Sequence, residues 1–187
     1  MNKFILLFVL VISSSCNTEK KQTNQAVIIA KAEIFKTKTT IITNNVVTIT
    51  DELYTLQFKI EKSTNNQHHL IVDMKLHKGS SFISPFEEKE FLGKFYMDLG
   101  EYTNLTFDGN LVETPKAVSR YDGFENAQVI WVAENTTYKQ MLNIKTDKKF
   151  KVFGSVKFTI EPRCTLETIP FGISYKDAKF HFFDPKC

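Results

Sequence analysis

The chain has 187 residues and a formal net charge of +3, with its lysines scattered along the sequence instead of forming a stripe. That length suits a single domain, and so small a charge argues against nucleic acid as a partner. Seventeen phenylalanines against seven glycines, with many Thr and Ile, point to β-structure around a bulky core.

The first element in chain order is a targeting segment. Lys3 supplies a positive start, and Phe4 to Ile12 is an unbroken apolar run of nine residues. That is too short to cross about 30 Å of hydrocarbon as a helix and has the length of a signal-peptide core. Three serines and Cys16 follow, which resembles the bacterial lipobox. In this reading residues 1–15 are a lipoprotein signal, Cys16 is acylated after cleavage, and residues 16–25 are the anchor and a polar tether. Several acyl chains at about 0.8 kcal/mol per buried methylene hold such a protein on a membrane. The implied partner is membrane lipid, and the implied location is the bacterial cell envelope, facing the periplasm or the exterior.

From residue 26 to 187 the pattern has period two almost throughout. Ala26 to Phe35 and Thr39 to Thr50 read as strands on either side of the polar turn Lys36-Thr37-Lys38. Tyr54, Leu56, Phe58 and Ile60 alternate with polar residues, and Leu70, Val72, Met74 and Leu76 do the same beyond the turn Ser63 to Gln67. Ser84 to Lys89 holds one helical turn at most. Further strands are expected at Phe95 to Leu99, Leu105 to Leu111, Ala127 to Ala133, Tyr138 to Ile144, Lys149 to Ile160, Phe171 to Tyr175 and Ala178 to Phe183. About ten short strands with polar turns and no convincing helix predict an all-β antiparallel sandwich.

Chemistry-bearing residues are few. His68 and His69 are adjacent and so face opposite sides of a strand, a poor arrangement for a metal pair even with His77 nearby. Glu87, Glu88 and Glu90 read as a solvated turn and Trp131 as core. Neither a metal nor a small-molecule cofactor is expected. With Cys16 acylated, two thiols remain, Cys164 and Cys187. Outside the cytoplasm an even pair favours a bond, worth about 3 kcal/mol in the chain-entropy model. Three readings stand together: a structural clip, a redox-active pair, or thiols that are unpaired or bonded between molecules.

The stretch Gly154 to Tyr175 is the most informative. Phe150, Val152, Val156, Phe158 and Ile160 alternate with Gly154 in step, and Cys164 follows in a short turn before Pro170-Phe171-Gly172-Ile173. Three segments in order carry a family resemblance: Leu76 to Ser84, Leu105 to Phe124 and Thr136 to Phe158. Through them the chain, from about Leu53 to Phe183, resembles the N-terminal periplasmic domain of the thiol:disulfide interchange protein DsbD. The resemblance implies an immunoglobulin-like β-sandwich and exchange with a periplasmic partner protein. It also implies two cysteines at the end of this strand, under an aromatic cap for which Phe82 and Phe86 are candidates. Cys164 matches the second cysteine. The first falls near Ile160 or Glu161, and neither is a cysteine. Cys164 is therefore the candidate redox thiol and Cys187 its candidate partner; the alternative is a redox-inactive binding or scaffold module in which the two form a structural disulfide.

Overall fold

The computed structural model describes residues 38–43 and 45–185. The expected signal, the acylated Cys16, the tether, the strand Ala26 to Phe35 and Cys187 lie outside the described residues.

Within them the regular secondary structure is strand throughout, with no helix. In order these are β1 (Thr39–Thr43), β2 (Val46–Thr50), β3 (Tyr54–Lys62), β4 (His68–Leu76), β5 (Phe82–Ile83), β6 (Tyr96–Asp98) and β7 (Leu105–Thr114). Then come β8 (Val118–Asp122), β9 (Ala127–Val132), β10 (Thr136–Ile144), β11 (Phe150–Ile160), β12 (Thr165–Lys176) and β13 (Lys179–Phe183). One layer is a six-stranded antiparallel sheet in the order β1-β2-β3-β4-β10-β7. The facing layer holds β13-β12-β11-β6 and β5-β9-β8. A single antiparallel bridge joins these two parts, Ser81 to Glu161, with Glu161 N donating to Ser81 O at 2.9 Å. The result is an immunoglobulin-like antiparallel β-sandwich.

Alternation explains why the layers stack. On β3 the buried residues are Tyr54, Leu56 and Phe58; on β11 they are Phe150, Val152, Val156, Phe158 and Ile160, in two-residue step with Gly154 filling the place between Val152 and Val156. Facing pairs meet across the core: Tyr54 edge-on to Phe158 at 5.1 Å, Phe58 on Phe171 at 4.9 Å, and Phe95 stacked on Tyr138 at 3.9 Å. Each such side chain contributes roughly 2–3 kcal/mol through burial, and the ring contacts add about 0.5–1.5 kcal/mol per pair. Gly154 is in step with the inward residues because β6 crosses close beside it. A Cβ there would stand 2.6 Å from Asp98 O and 2.4 Å from the Phe171 ring.

Three expectations need correction. Thr39 to Thr50 is a hairpin rather than one strand, because the chain reverses at Asn45, which takes the left-handed backbone (φ 62°) that Asn tolerates. β8 lies in what reads from the sequence as a connection, and its burial pattern shows why: Val118 to Tyr121 are all exposed, so no alternation marks it. β12 begins at Thr165, six residues before Phe171, where exposed Leu166 and buried Glu167 reverse the usual inside-outside rule.

Candidate functional site

Strands β11 and β12 pair without a break from Phe150–Tyr175 to Ile160–Thr165. Glu161, Pro162, Arg163 and Cys164 form the tight turn between them, and Cys164 takes φ 51° to close it. The thiol is exposed and has no disulfide partner among the described residues. Its Sγ donates to Glu161 Oε2 at 2.9 Å, with Pro162 O further away at 3.8 Å. That bond and the negative charge of Glu161 push the thiol pKa up. A thiolate at this position would lose its proton-mediated contact and face a carboxylate.

Beneath the turn lies a buried charged cluster. Glu167 points inward from β12 and is only 3% exposed. It accepts from Tyr54 OH at 3.1 Å and from Arg163 Nη2 at 2.7 Å, and it also pairs with Lys38. Arg163 Nη1 reaches Asp51 Oδ1 at 3.1 Å, and Asp51 accepts from Leu53 N at 3.0 Å. Two carboxylates and two cations thus balance, and each oxygen of Glu167 has a donor. Burial above all, and then the charges of Glu167 and Asp51, hold the Tyr54 phenol well above its ordinary pKa, so it remains a donor. The cluster clamps the Cys164 turn and the head of β1 to β3. Its guanidinium is committed to carboxylates and leaves nothing to stabilise a thiolate.

A second buried carboxylate ties the layers elsewhere. Glu113 accepts from Ser84 Oγ at 3.0 Å, Tyr138 OH at 2.9 Å and Ala117 N at 3.0 Å. Glu87, expected in a solvated turn, is buried instead. It accepts from Ile130 N at 2.7 Å, and that backbone bond leads the causes that lower its pKa.

The structure places the sequence candidates unevenly. Of Ile160 and Glu161, near which the resemblance puts the first cysteine, Glu161 is the one that touches Cys164 Sγ. Cys187 lies outside the described residues. Of the two candidate caps, Phe82 is packed in the core against Phe158 at 5.5 Å, and Phe86 is half-exposed. Among the described residues no group of three or more potential ligands could hold a metal ion. The residues that sequence reasoning missed are Asp51, Arg163, Glu167 and Tyr54's hydroxyl. The available signal was that Glu167 is in two-residue step with Ile169, Phe171 and Ile173.

No family model and no curated protein matches the chain. Among solved structures it is similar to the GAE domain of GGA2p from Saccharomyces cerevisiae. The identity is 9%, the TM-score 0.39, and the likeness covers 75% of this chain and 99% of that one.

Proposed function

We propose that this chain is a lipid-anchored envelope protein, related to the DsbD N-terminal domain, that serves as a binding module and has exchanged the redox pair for a thiol–carboxylate contact. The observation that carries this reading is the hydrogen bond from Cys164 Sγ to Glu161. Thiol–disulfide exchange needs a thiolate to attack and a second sulfur to resolve the mixed disulfide. Glu161 is one of the two residues near which the family's first, missing cysteine is expected, and its carboxylate disfavours the thiolate. The balanced cluster of Asp51, Arg163, Glu167 and Lys38 supports a structural role for the turn. A second reading, exchange with a partner protein through Cys164 alone, is favoured by one fact: the thiol is open to solvent.

Thiol trapping of the full chain across a glutathione redox titration separates the two. The binding-module reading expects Cys164 to show no reversible two-electron step beyond the glutathione adduct open to any exposed thiol. A reversible disulfide between Cys164 and a second protein's thiol, with a midpoint above about −300 mV, would overturn it. Acylation is read separately, from the mobility and membrane fractionation of a Cys16→Ser variant. Replacing Glu161 by Cys supplies the converse check. Positions three apart in a tight turn lie within about 7 Å, so that variant is expected to form the Cys164 disulfide in air.

A further inference from the structure

Folding gathers on one face the lysines that the sequence scatters. Outward residues alternate along β11, β12 and β13, and the register aligns them in rows. Lys151, Ser174 and His181 form one row; Phe153, Gly172 and Phe183 form the next. Lys176 pairs opposite Lys179 where the β12–β13 hairpin closes, and Lys149 precedes β11 beside them. A shallow basin of about 450 Å³ opens here, walled by Lys149, Lys151, Lys176, Ser174 and His181, with no carboxylate in its lining. Lys176 has only Asp177, at 3.9 Å, and neither Lys149 nor Lys179 has an ion pair among the described residues. Four lysines against one aspartate leave an excess of three positive charges on this patch. That equals the formal net charge of the whole chain.

Aromatic rings stand beside the cations. Phe153, 45% exposed, meets Phe183 edge-to-face at 5.4 Å. The pair lies across Gly172, where a Cβ would come within 2.6 Å of the Phe183 ring. Lys151 Nζ sits 5.0 Å over Phe183. Tyr96 is exposed on β6, opposite Lys157. The first carboxylate on the strands of this face is Asp98, one row beyond Phe153 and opposite Ser155.

We propose that the outer face of β11, β12 and β13 is a docking surface for an anionic lipid bilayer. The lysines answer the negative headgroups, and Phe153 enters the boundary between headgroup and acyl chain, as apolar rings on a basic face do. Charge complementarity selects an anionic partner. The rings select lipid over nucleic acid, because Phe183 already carries Lys151 over its face and Phe153 against it, which hinders base stacking. The proposal rests on the envelope-lipoprotein reading only for the origin of the bilayer; the contact itself needs no acyl chain.

The test uses the full chain reconstituted on vesicles, with Trp131→Phe and Phe153→Trp so that position 153 carries the only indole. Quenching of its emission by brominated lipid reports insertion. Vesicles with about 30% phosphatidylglycerol are compared with pure phosphatidylcholine, where an acyl anchor would act equally. At least twofold stronger quenching on the anionic vesicles is expected. It should fall to the neutral level at about 1 M salt, where the Debye length is about 3 Å. The combined variant Lys149→Glu, Lys151→Glu, Lys176→Glu and Lys179→Glu should behave like neutral vesicles. Lys62→Glu, Lys75→Glu and Lys139→Glu, on the opposite sheet, should leave quenching unchanged. Equal quenching on both vesicle types overturns the proposal, whatever the state of Cys16. So does an undiminished signal in the four-lysine variant, or a preference for a single-stranded oligonucleotide over the anionic vesicle. The salt arm uses intact lysines and so decides the matter even if the four-lysine variant folds poorly.

Discussion

Removing the carboxylate of Glu167 tests whether the cluster under the Cys164 turn holds the sandwich together. Glu167→Ala strands the Tyr54 hydroxyl, which is fully buried and has that carboxylate as its acceptor. An unsatisfied buried hydroxyl costs roughly 1–3 kcal/mol. The two cations lose a partner as well. Lys38 and Arg163 are each about a third exposed, so water screens the loss, and Arg163 keeps Asp51. Each cation therefore adds only about 0.5–1 kcal/mol, giving about 2–5 kcal/mol in all. Tyr54→Phe by itself leaves Glu167 with both cations and should cost about 1 kcal/mol. Combining Tyr54→Phe with Glu167→Met removes the stranded hydroxyl, fills the space, and frees the cations towards solvent. A buried ionic group replaced by a packed apolar one is often tolerated. The double variant should accordingly be at least 1 kcal/mol more stable than the sum of the separately measured Tyr54→Phe and Glu167→Met losses predicts. Urea unfolding at unchanged m-value is the assay. Additivity within about 0.5 kcal/mol would show that Tyr54 and Glu167 do not depend on each other, and the argument for a linked cluster would fail.

Other consequences can be measured directly. Asp177 and Ala178 close the β12–β13 hairpin with φ of 51° and 58°. Ala178→Gly removes a left-handed penalty of about 1 kcal/mol and should raise Tm by roughly 2–4 °C. Burial, followed by the charge of Glu167 or Glu113, raises the pKa of Tyr54 and Tyr138 above the ordinary value of 10.0. The unfolded chain then ionises first, so this stability is complete below about pH 10 and declines as pH rises further, by up to about 1.4 kcal/mol per unit for each tyrosine. Tyr138→Phe should flatten that alkaline slope in denaturant titrations. Glu161→Ala removes both the hydrogen bond and the negative charge that raise the Cys164 pKa. The midpoint of its iodoacetamide pH–rate profile should move down; an unmoved midpoint would refute the assigned cause.

Legibility followed burial. Strands β3, β4, β10 and β11 are plain in the sequence because one face is apolar and the other mostly polar, with Ile71, Met141 and Phe153 as exceptions. β8 is invisible because it is exposed on both faces, and the start of β12 is hidden because Glu167 occupies an inward place. Cys164 was identified from its turn. Its chemical neighbour was not, because a hydrogen bond across a four-residue turn depends on backbone angles that no alternation encodes.

The sequence by itself determined the class of fold, since two-residue alternation over so many short segments can bury its apolar faces only by stacking one sheet on another. It also set the supply of thiols, because cysteines can be counted without coordinates. The tertiary structure alone decided what surrounds them and where charge collects. Glu167, Asp51 and Arg163 meet through the β11–β12 register and the approach of β3 across the core. Lys149, Lys151, Lys176 and Lys179, scattered in the chain, become one patch because antiparallel pairing aligns residues far apart in sequence. Register is a property of paired strands, and a single strand read alone does not contain it.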